Sequence, residues 1–225
     1  SRPPLLSSTV SLRQPRLVAS PRCLAPERTQ PELWAEAMGT GFITYFGTGV
    51  VSASVFLGTT NGLWQISVVW GAAVALAAYC TAAISGAHLN PAVTLAMVVF
   101  RGFPAARAVR YVMAQLLGAT VGATGVLATY APAIRTYELS KGIVRGSASA
   151  ISSAPGCMFY SLCPGGITSG VTACVLEGFQ QAVLTFVVFS LTHKNSAAES
   201  SAAPALVGLS VAMLISVCGR KRTQA

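Results

Sequence analysis

The stretch Ser-Gly-Ala-His-Leu-Asn-Pro-Ala-Val-Thr, residues Ser85–Thr94, decides how this chain folds. It lies inside a run, Ala37–Phe100, that contains no Asp, Glu, Lys or Arg. Asn is a favoured helix N-cap and Pro is favoured at the first helical position, so Asn90-Pro91 predicts a helix that starts within apolar surroundings. An ordinary turn between two helices is the alternative, because Asn-Pro alone occurs in many loops.

The composition around this stretch predicts an all-α membrane protein. Apolar residues make up 53% of the chain and charged residues 9%, with a mean hydropathy of +0.62. Since a spanning helix needs about 20 mostly apolar residues, the charge-free runs predict about five spans. These are Leu33–Leu57, Leu63–Ile84, Arg107–Ala131, Thr168–Thr192 and Ala202–Cys218.

The basic residues behind the net charge of +9 lie between the apolar runs, which indicates a lipid bilayer and not nucleic acid as the partner. Short basic segments tend to stay on the inner side of the membrane. The Arg-rich N-terminal residues and Arg101 therefore share that side, and two full spans separate them. The segment around Asn90 must then enter the membrane and return without crossing. Three basic residues fall on the outer side against the rule: Arg135, Lys141 and Arg145.

The residues after Asn90 leave room for about three helical turns, or about 15 Å, which is half of a bilayer. A helix that begins inside the membrane directs its positive dipole end at the midplane. We expect the preceding residues 86–89 to be extended, with backbone carbonyls that line a water-filled cavity because lipid cannot satisfy them. A small polar molecule can exchange hydrogen bonds along these carbonyls and the Asn90 amide, while the dipole repels cations.

In these features the chain resembles the aquaporin and glycerol-facilitator family. The stretch at Ser85–Thr94 is similar to the first Asn-Pro-Ala box of that family, and the similarity covers about residues 33 to 219. Matching motifs are Ala35-Glu36-x-x-Gly39-Thr40-Gly41, Trp70-Gly71, Gln115-x-x-Gly118-Ala119 and, as in glycerol facilitators, residues 142–147. The resemblance implies an aquaporin-like inverted-repeat helical bundle, here incomplete, with about five spans and one re-entrant half-helix.

The resemblance also assigns a substrate path. It implies that Gly86, Ala87 and His88 offer pore-facing carbonyls and that Asn90 donates to the permeant molecule. The whole path comprises Gly86, Ala87, His88, Leu89, Asn90, Pro91 and Ala92.

Two further residues fall at selectivity-constriction positions of the family. Trp70 occupies a position where glycerol facilitators carry Trp, and an interfacial aromatic anchor is the alternative. Ile215 occupies a position where glycerol facilitators have a small residue, so it favours a narrower pore that admits water.

Glu36 and Glu177 are the only acidic residues within the predicted spans, and intramembrane carboxylates suggest a function. A proton relay is one interpretation, but the chain has no Asp, and no His or Lys lies in the spans. The resemblance implies instead that each Glu supports the backbone of a re-entrant loop. Glu36 precedes Asn90 by 54 residues, and the same interval after Glu177 predicts a second box near position 231, beyond Ala225.

We therefore predict a leader at 1–31, a first repeat at 32–131, an outer loop at 132–167, a partial second repeat at 168–219 and a polar tail at 220–225. The leader is either a transit peptide or a disordered tail, so a plasma membrane and an organellar envelope both remain open. Cys157 and Cys163 share the outer loop and are a candidate disulfide.

The predicted function is passive permeation of glycerol, water or both, without enzymatic activity, metal or cofactor, and the resemblance implies a homotetramer. One alternative is a truncated, non-conducting member of the family. The other is a secondary transporter with a broken helix.

Overall fold

The computed structural model describes residues 29–144 and 170–218, and every regular element in these ranges is helical. This confirms the predicted all-α class. The elements are α1 (Thr29–Ser52), which continues as a π-helical turn at Ala53–Leu57, then α2 (Leu63–Ser85), α3 (Pro91–Arg101), α4 (Ala105–Lys141), α5 (Gly170–Leu191) and α6 (Ala203–Cys218).

Four of the helical segments in the described ranges are long and apolar enough to cross a membrane: Thr29–Leu57, Leu63–Ser85, Ala105–Lys141 and Cys174–Leu191. The predicted fifth span corresponds to α6, whose 16 described residues extend about 24 Å. The 11 residues of α3 extend about 16 Å, which is the predicted half-membrane length.

Glycines bring two pairs of helices into backbone contact. On the α1–α4 interface, a Cβ added to Gly118 would overlap the backbone carbonyl of Ala37, and one added to Gly122 would overlap that of Gly41. On the α2–α6 interface, a Cβ at Gly71 would lie 2.5 Å from the carbonyl oxygen of Gly208. Such close approach is how helices associate in lipid, where burial of apolar surface gives little driving force.

The helices contact one another in a closed ring. Taken in spatial order, α4 packs on α1, α1 on α2, α2 on α6, α6 on α5, α5 on α3, and α3 again on α4. The first and second halves of the chain therefore meet twice, at the α2–α6 and α3–α5 contacts.

The third predicted span, Arg107–Ala131, is longer in the structure. It corresponds to α4, which continues through Pro132 to Lys141, so the outer loop does not begin at residue 132. Pro132 donates no backbone hydrogen bond, and the helical residues that follow it make tertiary contacts. Ile134 is buried, and the Tyr137 ring meets the Phe56 ring edge-on at 5.5 Å between centroids. At the other end of the chain, α1 begins at Thr29, within the predicted leader.

Several predictions fall outside the described residues. These are the leader up to residue 28, the outer loop from residue 145 to its predicted end at 167 with the Cys157–Cys163 pair, and the tail at 220–225.

Candidate functional site

The loop between α2 and α3 is not extended, which corrects the sequence-based expectation. Gly86, Ala87 and Leu89 all have positive φ angles, of 88°, 51° and 50°. Non-glycine residues in this region cost about 1–3 kcal/mol each and persist only where the surroundings impose them. Here the backbone N–H groups of residues 87 to 89 all find side-chain acceptors. The Ala87 N–H donates to Ser85 Oγ at 3.1 Å, and the next two N–H groups donate to a carboxylate.

That carboxylate is Glu36 of α1, which is fully buried. Its Oε1 accepts from Ser85 Oγ at 2.6 Å and from the His88 N–H at 3.0 Å. Its Oε2 accepts from the Leu89 N–H at 2.7 Å and from Gln115 Nε2 at 2.8 Å. An ionised carboxylate offers about four acceptor positions, so Glu36 is saturated by the loop and by α4.

Gln115 and Thr94 extend this network to α3. Gln115 Nε2 also donates to Thr94 Oγ1 at 3.0 Å, and Thr94 Oγ1 donates to the Asn90 carbonyl at 2.9 Å. From the sequence, Gln115 is predicted only as part of a motif, and Thr94 and Ser85 have no predicted role of their own. One feature of the sequence could have indicated a role for Gln115: it is the one carboxamide side chain in the charge-free run Tyr111–Ile134.

Tyr111 and Arg107 of α4 hold the start of the loop. Tyr111 Oη donates to the Ser85 carbonyl at 3.0 Å and lies 3.3 Å from Glu32 Oε2, and Arg107 forms an ion pair with Glu32. Sequence reasoning missed this group, because no motif connects residues so far apart in the chain.

The His88 side chain belongs to the protein interior. Its Nδ1 lies 3.3 Å from Thr94 Oγ1, and its ring packs edge-on against Phe103 and Tyr111, with centroids 4.8 and 5.2 Å away. Leu89 is also buried and packs against Gly39, where an added Cβ would lie 2.5 Å from Leu89 Cδ2. These two side chains anchor the loop on the side that Glu36 occupies.

The carbonyl oxygens of the loop have no hydrogen-bond partner in the described part of the chain. Among the described residues, none donates a hydrogen bond to the carbonyl oxygens of Gly86, Ala87, His88 or Leu89. A backbone acceptor that is removed from water without a partner costs free energy, and the bilayer core cannot supply one. These four oxygens therefore require water or another polar molecule beside them.

Asn90 places a donor at the end of this row. Its Oδ1 caps α3 by accepting from the Ala92 N–H at 2.8 Å and the Val93 N–H at 3.4 Å. Because an N–H can donate only to the oxygen of the amide, the orientation of the side chain is defined and Nδ2 points away from the helix. Nδ2 has no acceptor in the described part of the chain. Pro91 and Ala92 form the first turn behind it.

Trp70 and Ile215 lie near the crossing of α2 and α6. Trp70 is half-buried and its ring covers Gly47 of α1, where an added Cβ would lie 2.5 Å from Cδ2 and Cε2. It directly precedes Gly71, whose added Cβ would meet Ala212 Cβ at 2.9 Å. Ile215, also half-buried, follows Ala212 by three residues, which is about 4.5 Å along the helix axis.

Glu177 differs from Glu36 in its surroundings. It is exposed on α5 and has no hydrogen bond to any described residue. Its predicted role at a second loop stays a prediction. No group of three or more His, Cys, Asp or Glu side chains within residues 29–144 and 170–218 is arranged to hold a metal ion.

A helical bundle that holds a half-membrane helix and its loop by a buried carboxylate is an integral, multi-pass membrane protein with a re-entrant segment. The chain belongs to the family described as Major intrinsic protein, which matches residues 27–223.

Curated relatives agree with this assignment. The chain is 37% identical over 186 residues to the glycerol uptake facilitator protein of Pseudomonas aeruginosa, covering 82% of this chain and 66% of the relative. It is 36% identical over 181 residues to the propanediol uptake facilitator PduF of Citrobacter freundii, covering 80% and 66%. The chain thus spans just under two thirds of the length of these relatives.

The fold is also found in a solved structure. The aquaglyceroporin of Plasmodium falciparum superposes with a TM-score of 0.66 at 23% identity, covering 85% of this chain and 73% of the other. This confirms the aquaporin-like bundle inferred from the sequence.

Proposed function

We propose that the chain forms the wall of a channel for passive permeation of small neutral solutes, glycerol and water, without catalysis or a cofactor. The observation that carries the proposal is the row of carbonyls at Gly86–Leu89, which accept no hydrogen bond from any described residue, followed by Asn90 Nδ2, which has no acceptor among the same residues. A hydroxyl group can donate to each carbonyl in turn and accept from the amide, so a permeating molecule keeps its hydrogen bonds as it loses bulk water.

The same geometry disfavours cations. The N-terminus of α3 lies beside Asn90, and its partial positive charge repels protons and metal ions at the point where the path crosses the midplane. The carboxylate of Glu36 offers no ligand position to a cation in the path, because its four acceptor positions are all occupied by donors of the loop and of α4.

The solute preference rests on the constriction. An indole at Trp70 gives the carbon side of a polyol an apolar wall, and the curated relatives are named as glycerol and propanediol facilitators. Ile215 would narrow the pore at the same constriction and so favour water over glycerol. We propose glycerol and water as the solutes, with Trp70 and Ile215 setting their ratio.

The remaining parts of the proposal concern assembly and the second half of the pore. We propose that the chain acts as a homotetramer, that residues 32–131 and 168–219 are the two repeats, and that Glu177 supports a second re-entrant loop. The exposed position of Glu177 within an apolar helix supports this, because a carboxylate in the membrane needs a partner.

Stopped-flow swelling of proteoliposomes under glycerol and sorbitol gradients tests the function. We expect glycerol to enter faster than through bare lipid and sorbitol to remain excluded. Asn90→Asp is the informative variant, because Asp keeps the N-cap oxygen but replaces the donor with a charge. It should fold like the parent and lose most glycerol permeability. Glycerol entry no faster than through bare lipid, from protein that is folded, would overturn the proposal in favour of a non-conducting chain.

A further inference from the structure

Arg101, the last residue of α3, connects that helix to the C-terminal turn of α5. Its Nη2 donates to the carbonyl oxygen of Phe189 at 3.0 Å, and its guanidinium carbon lies 4.8 Å from the centre of the Phe189 ring. The ring of the preceding residue, Phe100, meets the Phe189 ring edge-on at 6.2 Å. Two consecutive residues of α3 thus converge on one residue of α5.

This contact lies at the weakest point of the helix ring. The α3–α5 interface is the smallest of those that close the ring, and no residue of the apolar stretch Cys174–Leu191 is buried. The α1–α4 and α2–α6 interfaces have glycine-mediated backbone contact, whereas α5 has an open space at Gly178. Among the described residues, α5 therefore meets α3 through only a few side chains.

We propose that Arg101 is a positioning residue that closes the ring of helices at the inner membrane surface by holding the end of α5 against the end of α3. We call the contact of Arg101 with Phe189 the clamp. Its role as part of a channel wall rests on the proposed function, whereas the clamp itself does not.

The chemistry of arginine suits this position. A guanidinium can stack on an aromatic ring and donate to a carbonyl at the same time, which a lysine ammonium cannot do with the same geometry. Arg101 lies in the last turn of α3, and Phe189 lies two residues before the end of α5. Both helices direct the negative end of their dipole at this point, so one cation stabilises two C-termini.

Hydrogen–deuterium exchange of the whole protein in lipid nanodiscs tests the clamp. In Arg101→Ala we expect exchange at the last turn of α5 to rise about tenfold, as follows from losing one charge-assisted hydrogen bond. The Thr192 amide, which donates to the Val188 carbonyl at 3.0 Å, reports on this turn. Exchange at the His88 and Leu89 amides, bonded to Glu36, should stay at the parent level. Arg101→Lys should give an intermediate rise, because it keeps the charge and loses the stacking.

Arg135→Ala is the matched control, since Arg135 is an exposed arginine on α4. An Arg101→Ala profile equal to that of Arg135→Ala overturns the proposal, and so does a uniform rise that includes the His88 and Leu89 amides. If Arg101→Ala yields no folded protein, Arg101→Lys and Phe189→Leu decide instead. Each should raise exchange at the end of α5, and a parent-like profile in both overturns the clamp. None of these outcomes depends on glycerol permeability. Failure of the clamp can therefore be distinguished from failure of the proposed channel function.

Discussion

Gln115 Nε2 lies 2.8 Å from Glu36 Oε2, so an amide of α4 donates to a carboxylate of α1 in the buried space behind the re-entrant loop. The same nitrogen reaches Thr94 of α3 at 3.0 Å. One side chain therefore connects three helices to the loop that they support. The loop conformation, with its unusual φ angles, follows from this network more than from its own residues.

Replacement of Glu36 by Gln tests the network at its centre. The amide nitrogen of Gln would face N–H donors, so at least one of the His88 and Leu89 amides would lose its acceptor. A buried donor without a partner costs about 1–3 kcal/mol, and we expect a clear fall in the thermal unfolding midpoint with faster exchange at both amides. Glu199→Gln, on the exposed connection between α5 and α6, is the control and should leave the unfolding midpoint and the exchange at the two amides unchanged. An unfolding midpoint equal to that of the parent would contradict the role given to Glu36.

Replacement of Gln115 by Leu removes two hydrogen bonds from the network, those that Gln115 Nε2 donates to Glu36 Oε2 and to Thr94 Oγ1. Glu36 keeps three of its four donors, but the lost charge-assisted hydrogen bond alone is worth about 1.5–3 kcal/mol, so we expect a clear fall in the unfolding midpoint. Gln181→Leu on α5 is a matched control, because Gln181 Nε2 is buried without a partner in the described structure. Its removal should be neutral or stabilising. Thermal unfolding of both variants beside the parent, in one detergent, tests this, and a larger fall in the midpoint for Gln181→Leu than for Gln115→Leu would refute the role given to Gln115.

Gly118→Ala tests the contact between α1 and α4. An added methyl group would overlap the Ala37 carbonyl, so the two helices must separate, at a cost of about 1–3 kcal/mol or more. Gly178→Ala adds the same group to α5, where no described atom lies within 4 Å. It should be neutral or stabilising by about 0.5–1 kcal/mol, because alanine is the better helix former. Equal unfolding midpoints for the two variants would show that the α1–α4 contact tolerates a side chain.

Gly47→Ala tests whether the position of Trp70 matters for permeation. The added Cβ would lie 2.5 Å from two atoms of a rigid ring, so the indole must move away from α1. We expect a several-fold change in the ratio of glycerol to water permeability, measured by stopped-flow light scattering. Gly49→Ala, one half-turn on, would place its Cβ 3.9 Å from Val126 Cγ2 and should leave the ratio unchanged. The two variants giving the same ratio would favour the interpretation of Trp70 as an interfacial anchor.

The sequence by itself determined the class of protein and the location of the candidate site. Runs without charge require helices in lipid, and Asn90-Pro91 within such a run requires a helix start inside the membrane. Both follow from local chemistry that does not depend on distant residues. The buried carboxylate at Glu36 was visible for the same reason, since an isolated charge in an apolar run needs a partner.

Only the tertiary structure decided how the loop is held and how the ring of helices closes. The residues around Glu36 come from positions 85 to 115, and their donors meet because α1, α3 and α4 pack together. The φ angles at Ala87 and Leu89 contradict local preference and exist because the N–H groups must reach Glu36. The helix through Pro132 and the contact of Arg101 with Phe189 likewise depend on neighbours that are remote in sequence.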